Sequence, residues 1–429
     1  MDKLIINGSK RLNGEITVQG AKNSALPILV ATLLVNGTSV IHNCPKLSDV
    51  DATIKILRYL GCKVTREEHT VIVDSSSVEK CDVPDDLMRE MRSSIVFLGG
   101  ILGRMGKAVL STPGGCEIGL RPIDLHLSSM KQFGAKITTE DGLITCSAEE
   151  NGLVGTRITL SFPSVGATEN IILAAVLAKG TTIVTNAARE PEISDLADFL
   201  NRCGAKIHGA GDSTITIEGV NRLNSTEHTV IPDRIVASTY MIAAAVTNGK
   251  ICLKDVIPAH IGPVIQPLRE AGCDVVVSGR WVCLSSLPRL NRIKMIRTMP
   301  HPGFPTDVQA QIMALTTVAD GTSVIVENIF ESRFKHVGEL LRFGANISLE
   351  GRMAVVEGVK KLHSANVKAT DLRGGSAMII AGLVANGTSE ITEIHHIDRG
   401  YEEPEMVLNY LGADIKRVKD NEKAEECNA

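Results

Sequence analysis

Ser24-Ala25-Leu26-Pro27-Ile28-Leu29-Val30-Ala31-Thr32-Leu33-Leu34-Val35 is apolar almost all round. A helix without a polar face has to lie inside a domain, so this stretch predicts a buried helix over 24–35. Gly37 follows, at the place where a C′ glycine ends a helix. Next comes a β-branched run, Ser39-Val40-Ile41. Residues 47–60 then carry Val50, Ile54, Leu57 and Leu60 near helical spacing, which reads as an amphipathic helix closed by Gly61. Lys63-Val64-Thr65 opens a strand, and Thr70-Val71-Ile72-Val73 reads as its hairpin partner. One unit is thus β-α-β-α-β-β.

The unit recurs. Its opening glycines are Gly37, Gly106, Gly180, Gly249, Gly321 and Gly387, and its closing glycines are Gly61, Gly134, Gly204, Gly272, Gly344 and Gly412. Successive closing glycines lie 68 to 73 residues apart, so one supersecondary unit is used six times. The apolar helix returns at 171–178, 240–246, 312–318 and 377–385, with a degenerate copy around 95–102. All-round apolar helices need sheets packed about them. The expected fold is an inside-out α/β barrel: two domains, each of three units with buried helices.

Composition narrows the function. A chain of 429 residues exceeds one simple core, which favours two domains. A net charge of −4 and 3% aromatic residues speak against a nucleic-acid surface. The longest apolar runs, such as 171–178, are too short to span a bilayer. Ten cysteines show neither C-x-x-C nor Cys/His clusters at zinc spacing, so no metal site is expected and a reducing cytoplasm is indicated. Residues 1–8 read as a strand into a turn rather than an export signal, and the polar tail beyond Lys419 is expected to fray.

The segments before the apolar helices carry cations: Lys22, Arg92, Arg234 and Arg373. A cation at a helix N-terminus opposes the macrodipole. Either these cations pair with neighbouring aspartates, or they join the free N–H groups there to hold an anion. Three further segments stand out. Pro113-Gly114-Gly115-Cys116-Glu117-Ile118-Gly119-Leu120-Arg121-Pro122 reads as a mobile loop in a lengthened second unit. Its thiol near Arg121 suits a proton donor or nucleophile, or is an idle surface group. His301-Pro302-Gly303-Phe304-Pro305-Thr306-Asp307 presents Asp307 at a helix start, as an N-cap or a general base. In Asp398-Arg399-Gly400-Tyr401, Arg399 either clamps phosphate or pairs with the local aspartate.

These residues carry a resemblance. QGAKNSALP (19–27), PKLSDVD (45–51), MRSS (91–94), PGGCEIGLRPIDLH (113–126), PSVGATEN (163–170), AAREPEI (187–193), IPDRI (231–235), PHPGFPTD (300–307), ATDLRGG (369–375) and HIDRGY (396–401) resemble the UDP-N-acetylglucosamine enolpyruvyl transferases of the EPSP synthase superfamily. The resemblance spans nearly the whole chain. The sister enzymes that act in the shikimate pathway share the six-unit fold but lack the cysteine loop.

The resemblance implies a catalytic domain over 22–230 and a second domain of 1–21 with 231–429, the substrates lying in a cleft between them. It implies addition of the sugar 3-hydroxyl to C2 of phosphoenolpyruvate, protonation at C3, then loss of phosphate. This would be the first committed step of peptidoglycan synthesis. Cys116 would be general acid and site of a covalent adduct, and Asp307 would take the hydroxyl proton. Lys22, Arg121 and Arg399 would surround phosphoenolpyruvate, with Asn23 beside Lys22. Arg92, Arg121, Pro122, Ile123, Asp124, Leu125, Ser164, Val165, Gly166, Asp307 and Ile329 would contact the UDP-sugar, and Arg333, Asp371 and Arg373 would line the site. No cofactor or metal is implied, no nucleic-acid or membrane partner, and a monomer in the cytoplasm is expected. Sensitivity to the epoxide fosfomycin would follow from Cys116. The chain departs from some relatives at Ser48 and Phe162, where those carry Lys.

Overall fold

The computed structural model describes residues 2–111 and 123–419, with the side chain of Arg92 outside that description. Six helices of the kind expected from 24–35 form the interior: Lys22–Ala31, Phe97–Met105, Val165–Ala175, Arg234–Val246, Gln309–Thr316 and Leu372–Val384. In Gln309–Thr316 every residue is buried, and in Arg234–Val246 every residue after Arg234. The first of the six is shorter than expected. It passes at Thr32 into a 3₁₀ turn, Thr32–Leu34, and Val35 is already extended. Gly37 is therefore not the C′ residue. It opens the next strand at φ +149°, where an added Cβ would lie 2.5 Å from Ser225 Oγ.

The closing glycines behave uniformly. All six have φ between +85° and +107°. Each follows a peripheral helix and makes the same pair of bonds. At the first, Gly61 N–H donates to Arg58 O (3.1 Å) and Cys62 N–H to Leu57 O (3.0 Å). This is a Schellman closure, which needs a left-handed residue and so favours glycine. The repeat seen in the sequence is this cap, reused six times.

Six four-stranded sheets surround the helices. Among the described residues five of them contain a hairpin, and in each sheet a short strand that precedes a central helix pairs in parallel with the strand that follows one. Residues Arg157–Thr159 pair in this way with Thr181–Thr185 across the helix Val165–Ala175. Two sheets depart from the simple unit. Asn13–Thr17 precedes the helix Lys22–Ala31 but pairs with Lys250–Lys254. Glu227–Thr229 precedes Arg234–Val246 but pairs with Thr38–His42. At both crossings the short strand stays in the unit the chain is leaving. The sixth sheet is closed by the N-terminal strand Lys3–Asn7, antiparallel to both Thr388–Thr392 and Ile415–Val418. Along the strands buried and outward residues alternate, as in Thr181–Thr185 and Thr322–Val326, so one sheet face covers the helices.

Residues 20–111 with 123–231 form one compact unit, and residues 2–19 with 232–419 the other. Each has its own hydrophobic core. The degenerate helical copy, Phe97–Met105, is degenerate for a packing reason. A Cβ on Gly99 would sit 2.4 Å from Asn170 O, and one on Gly103 2.9 Å from Leu173 O. These glycines, four apart on one face, let this helix approach Val165–Ala175 backbone to backbone. Gly99→Ala is expected to cost about 1–3 kcal/mol through overpacking, read as a lower urea midpoint; an unchanged midpoint would contradict the close approach.

The cysteines hold a departure. Cys252 and Cys283 stand opposite each other on the antiparallel strands Lys250–Lys254 and Trp281–Ser285, with Cα atoms 4.0 Å apart, and are joined by a disulfide. A 31-residue separation carries no signal that strand register will bring two thiols together.

Candidate active site

In the unit of residues 20–231, the helix Lys22–Ala31 starts where Ala21 N–H donates to Ile231 O (2.8 Å). Ala21 has no side chain to cap it. Lys22 is buried, and its Nζ lies 2.9 Å from Asp49 Oδ2. Asp49 is in the first turn of Ser48–Tyr59, where a carboxylate is favourable. The cation that opposes one helix dipole is thus balanced by an anion that complements another. Asp49 comes from a separate helix 27 residues on, so local sequence did not mark it as the partner. Asn23 is the second residue of the helix and half-buried. Ser24 Oγ donates to Asp195, which also meets His228 Nε2 (2.8 Å) and accepts from Ile231 N–H (3.2 Å).

The same unit brings two predicted segments together. Ser164 caps the helix Val165–Ala175, accepting from Ala167 N–H at 3.3 Å, and Val165 and Gly166 form its first turn. Ile123, Asp124 and Leu125 start the helix Asp124–Gln132. The join is made by His126 and Asn170, which had been given no role: His126 Nδ1 is 2.7 Å from Asn170 Nδ2, which also donates to Ile95 O at 3.0 Å. A Cβ on Gly166 would reach 3.1 Å from the His126 ring. Deeper in this helix, burial, then Glu192 and Glu190, hold the Glu169 carboxyl well above the usual range. Arg92 opens the 3₁₀ segment Arg92–Val96. Cys116, Arg121 and Pro122 lie outside the described residues. Of the two departures from relatives, Ser48 is exposed at the start of its helix, and Phe162 is 42% exposed.

In the other unit the site gathers around Asp307. It sits in the 3₁₀ turn Thr306–Val308, whose N-cap is Pro305, so Asp307 is not a capping residue. Its Oδ1 instead meets Arg333 Nη2 at 3.0 Å and Arg373 Nε at 3.4 Å. Both arginine side chains are buried, at 3% and 5% exposure, against 29% for Asp307. Burial opposes the Arg373 charge, but Asp307, Tyr401 and Asp233 outweigh it and keep the guanidinium charged. Asp371 does cap a helix, accepting from Arg373 N–H (2.9 Å) and Gly374 N–H (3.1 Å). Burial pushes its carboxyl up, yet Arg333, those N–H groups and His336 leave it below the usual range. Arg333 and Arg373 are thus matched by Asp307 and Asp371, and this helix start is not a bare positive site. Ile329 enters through its backbone: its N–H donates to the buried Glu327 at 2.8 Å, and the other Glu327 oxygen accepts from Thr306 Oγ1 at 3.0 Å.

Arg399 lies in a loop held on both sides. Asp398 pairs with Arg417, at 2.7 and 3.0 Å, so the aspartate beside Arg399 serves another arginine. Tyr401 is buried, its hydroxyl 2.9 Å from Thr239 Oγ1, 3.2 Å from Gln311 Nε2 and 3.5 Å from Arg373 Nη1. This polar cluster ties the loop to three central helices. Sequence motifs could mark Tyr401 but not Thr239 or Gln311, which sit unannounced on apolar helices.

Burial, opposed by Asp371, lowers the His336 imidazole to about 4. The unfolded chain binds the proton more readily, so stability is full above about pH 6.5 and declines as pH falls toward 4. The loss is on the order of 2–3 kcal/mol. His336→Asn should flatten the melting temperature between those pH values; an unchanged slope would assign the acid sensitivity elsewhere.

A family model described as EPSP synthase (3-phosphoshikimate 1-carboxyvinyltransferase) matches residues 6–408, and the chain belongs to that family. Within it, UDP-N-acetylglucosamine 1-carboxyvinyltransferase 2 of Caldanaerobacter subterraneus subsp. tengcongensis is 51% identical, covering 97% of this chain and 100% of that one. UDP-N-acetylglucosamine 1-carboxyvinyltransferase of Desulfatibacillum aliphaticivorans is 49% identical over 98% and 100%. Among solved structures, the enolpyruvyl transferase NikO from Streptomyces tendae superposes with a TM-score of 0.88 at 26% identity, covering 97% of this chain and 99% of that one. The EPSP synthase of Acinetobacter baumannii shares the fold, with a TM-score of 0.77 at 19% identity over 98% and 100%.

Proposed function

We propose that this protein transfers the enolpyruvyl group of phosphoenolpyruvate to the 3-hydroxyl of UDP-N-acetylglucosamine, releasing phosphate, as the first committed step of peptidoglycan synthesis in the cytoplasm. The observation that carries the reading is identity near one half, over almost the entire length, to proteins named for this reaction. The buried, ion-paired Lys22 suits an anion such as phosphoenolpyruvate, which carries a carboxylate and a phosphate, and the Asp307–Arg333–Arg373 cluster offers a carboxylate held by fixed cations.

In this reading the sugar hydroxyl attacks C2 and passes its proton to Asp307, while the Cys116 thiol protonates C3. The resulting tetrahedral adduct then loses phosphate, which takes up the proton held by Asp307, and C3 returns a proton to the Cys116 thiolate, leaving an enolpyruvyl ether. Asn23 and Arg121 join Lys22 and Arg399 around phosphoenolpyruvate. Arg92, Pro122, Ile123, Asp124, Leu125, Ser164, Val165, Gly166, Ile329, Arg333, Asp371 and Arg373 hold the UDP-sugar and shape the reacting centre. In this reading residues 22–230 supply the cysteine loop. Orientation of two substrates supplies much of the rate.

In four buried cysteines the thiolate is disfavoured. Burial pushes the Cys62 and Cys203 thiols up to about 12 and those of Cys146 and Cys273 up to about 11. We assign covalent capture of fosfomycin to Cys116 on the resemblance of the segment PGGCEIGLRP. The test of function is phosphate release with phosphoenolpyruvate and UDP-N-acetylglucosamine, together and singly. Release only with both is expected. Release with shikimate 3-phosphate in place of the nucleotide sugar would move the protein to the sister activity.

A further inference from the structure

Gln19 lies two residues beyond the crossing strand Asn13–Thr17 and three before Lys22, and its side chain does something the repeat does not require. Gln19 Nε2 donates to Gly400 O at 3.3 Å, and Gln19 Oε1 accepts from Glu402 N–H at 3.0 Å. Both ends of one amide thus grip the backbone on either side of Tyr401, directly after Arg399. The main chain of Gln19 is fixed as well: its carbonyl accepts from Asp233 N–H at 2.9 Å. Asp233 in turn caps the helix Arg234–Val246, accepting from Ile235 N–H at 2.8 Å and Val236 N–H at 3.0 Å. The amide is therefore mounted on a central helix through two short links.

Among the described residues, side chains from elsewhere in the fold fix the 398–402 loop at three places, beside the local bonds of Gly400 N–H and Tyr401 N–H to Ile397 O. Arg417 holds Asp398, the Thr239–Gln311 pair holds the Tyr401 hydroxyl, and Gln19 holds the backbone between. The first two grip side chains. Gln19 alone among these groups grips the peptide units that set where the chain leaves Arg399. A two-point amide clamp fixes direction as well as distance, which a single hydrogen bond does not.

We propose that Gln19 is a positioning residue for Arg399. It orients the backbone that presents this cation to the phosphoenolpyruvate anion, and so governs the affinity for that substrate and not for the nucleotide sugar. The inference rests on the enolpyruvyl-transfer reading given above.

The test compares the parent with Gln19→Met and Gln19→Ala in steady-state kinetics with each substrate varied in turn. Methionine keeps the length and the packing while removing both hydrogen bonds. Losing two hydrogen bonds that hold a charged group should raise KM for phosphoenolpyruvate about tenfold in both variants. KM for UDP-N-acetylglucosamine should stay within about twofold of the parent. Thermal melting separates placement from folding. If both KM values stay at the parent level, or if both rise together with a lower melting temperature, Gln19 is not a positioning residue. A parent that releases no phosphate with the two substrates would instead remove the functional reading, and the inference with it. An active parent with unaltered variants removes the inference alone.

Discussion

Cys116→Ala is expected to lower turnover by about two to four orders of magnitude, the range that a positioned proton donor contributes. Carbon protonation is the reason for so large an effect. The C3 methylene of phosphoenolpyruvate is a weak base, and water cannot replace a donor aimed at it. Cys116→Asp should recover part of the loss, since a carboxylic acid can also deliver and reclaim a proton. The same substitution should abolish covalent labelling by fosfomycin, because a carboxylate is a far poorer nucleophile toward an epoxide than a thiolate. The two readouts divide the roles of one sulfur. Turnover reports the proton and labelling reports the nucleophile. Parent-level turnover in Cys116→Ala would discard the general-acid role whatever the labelling result.

Asp307→Asn is the second large effect. Asparagine keeps the shape of the side chain and can still accept a hydrogen bond from Arg333, but it cannot take a proton from the sugar hydroxyl. Turnover should fall by about two to four orders of magnitude. The substitution also removes the negative charge facing two buried guanidiniums. Breaking a buried pair by removing one partner costs about 3–5 kcal/mol when burial is complete. Asp307 is 29% exposed, so the stability loss should be well below that range. The comparison that decides is turnover under saturating substrates, measured below the melting temperature of the variant. A change of less than about threefold would leave Asp307 as an anchor for Arg333 and Arg373 and nothing more.

Local pattern made the architecture readable. Apolar helices without a polar face have to be interior, and a left-handed residue closing each peripheral helix has to be glycine in most contexts, so the period was visible in single residues. Long-range pairing was not visible. Nothing in Asn13–Thr17 says that it pairs with Lys250–Lys254 instead of the strand after its own helix, because register is set by the fold and not by neighbours. The site followed the same rule. Residues on irregular, proline- and glycine-rich segments, such as Asp307 and Arg399, stood out against the repeat. Their partners did not. Asp49 looks like any first-turn aspartate, and Gln311 like a stray amide on a helix. Arg373 was legible as a cation opposing a dipole, but its neutralisation by Asp307 needed three dimensions.

The N-terminal strand Lys3–Asn7 completes a sheet with Thr388–Thr392 and Ile415–Val418, while the described residues of the other unit all lie between 20 and 231. That asymmetry sets a schedule for synthesis. The inner stretch has all its partners once residue 231 has left the ribosome. The first strand waits for almost the entire chain, roughly 20–80 s at ordinary elongation rates. During that interval a short β-rich segment is without its two neighbours, and the growing chain carries one finished body and one unfinished one. Loss of the last strand by early termination would leave the earliest-made residues paired on one side only, so damage at one end of the gene product would be felt at the other.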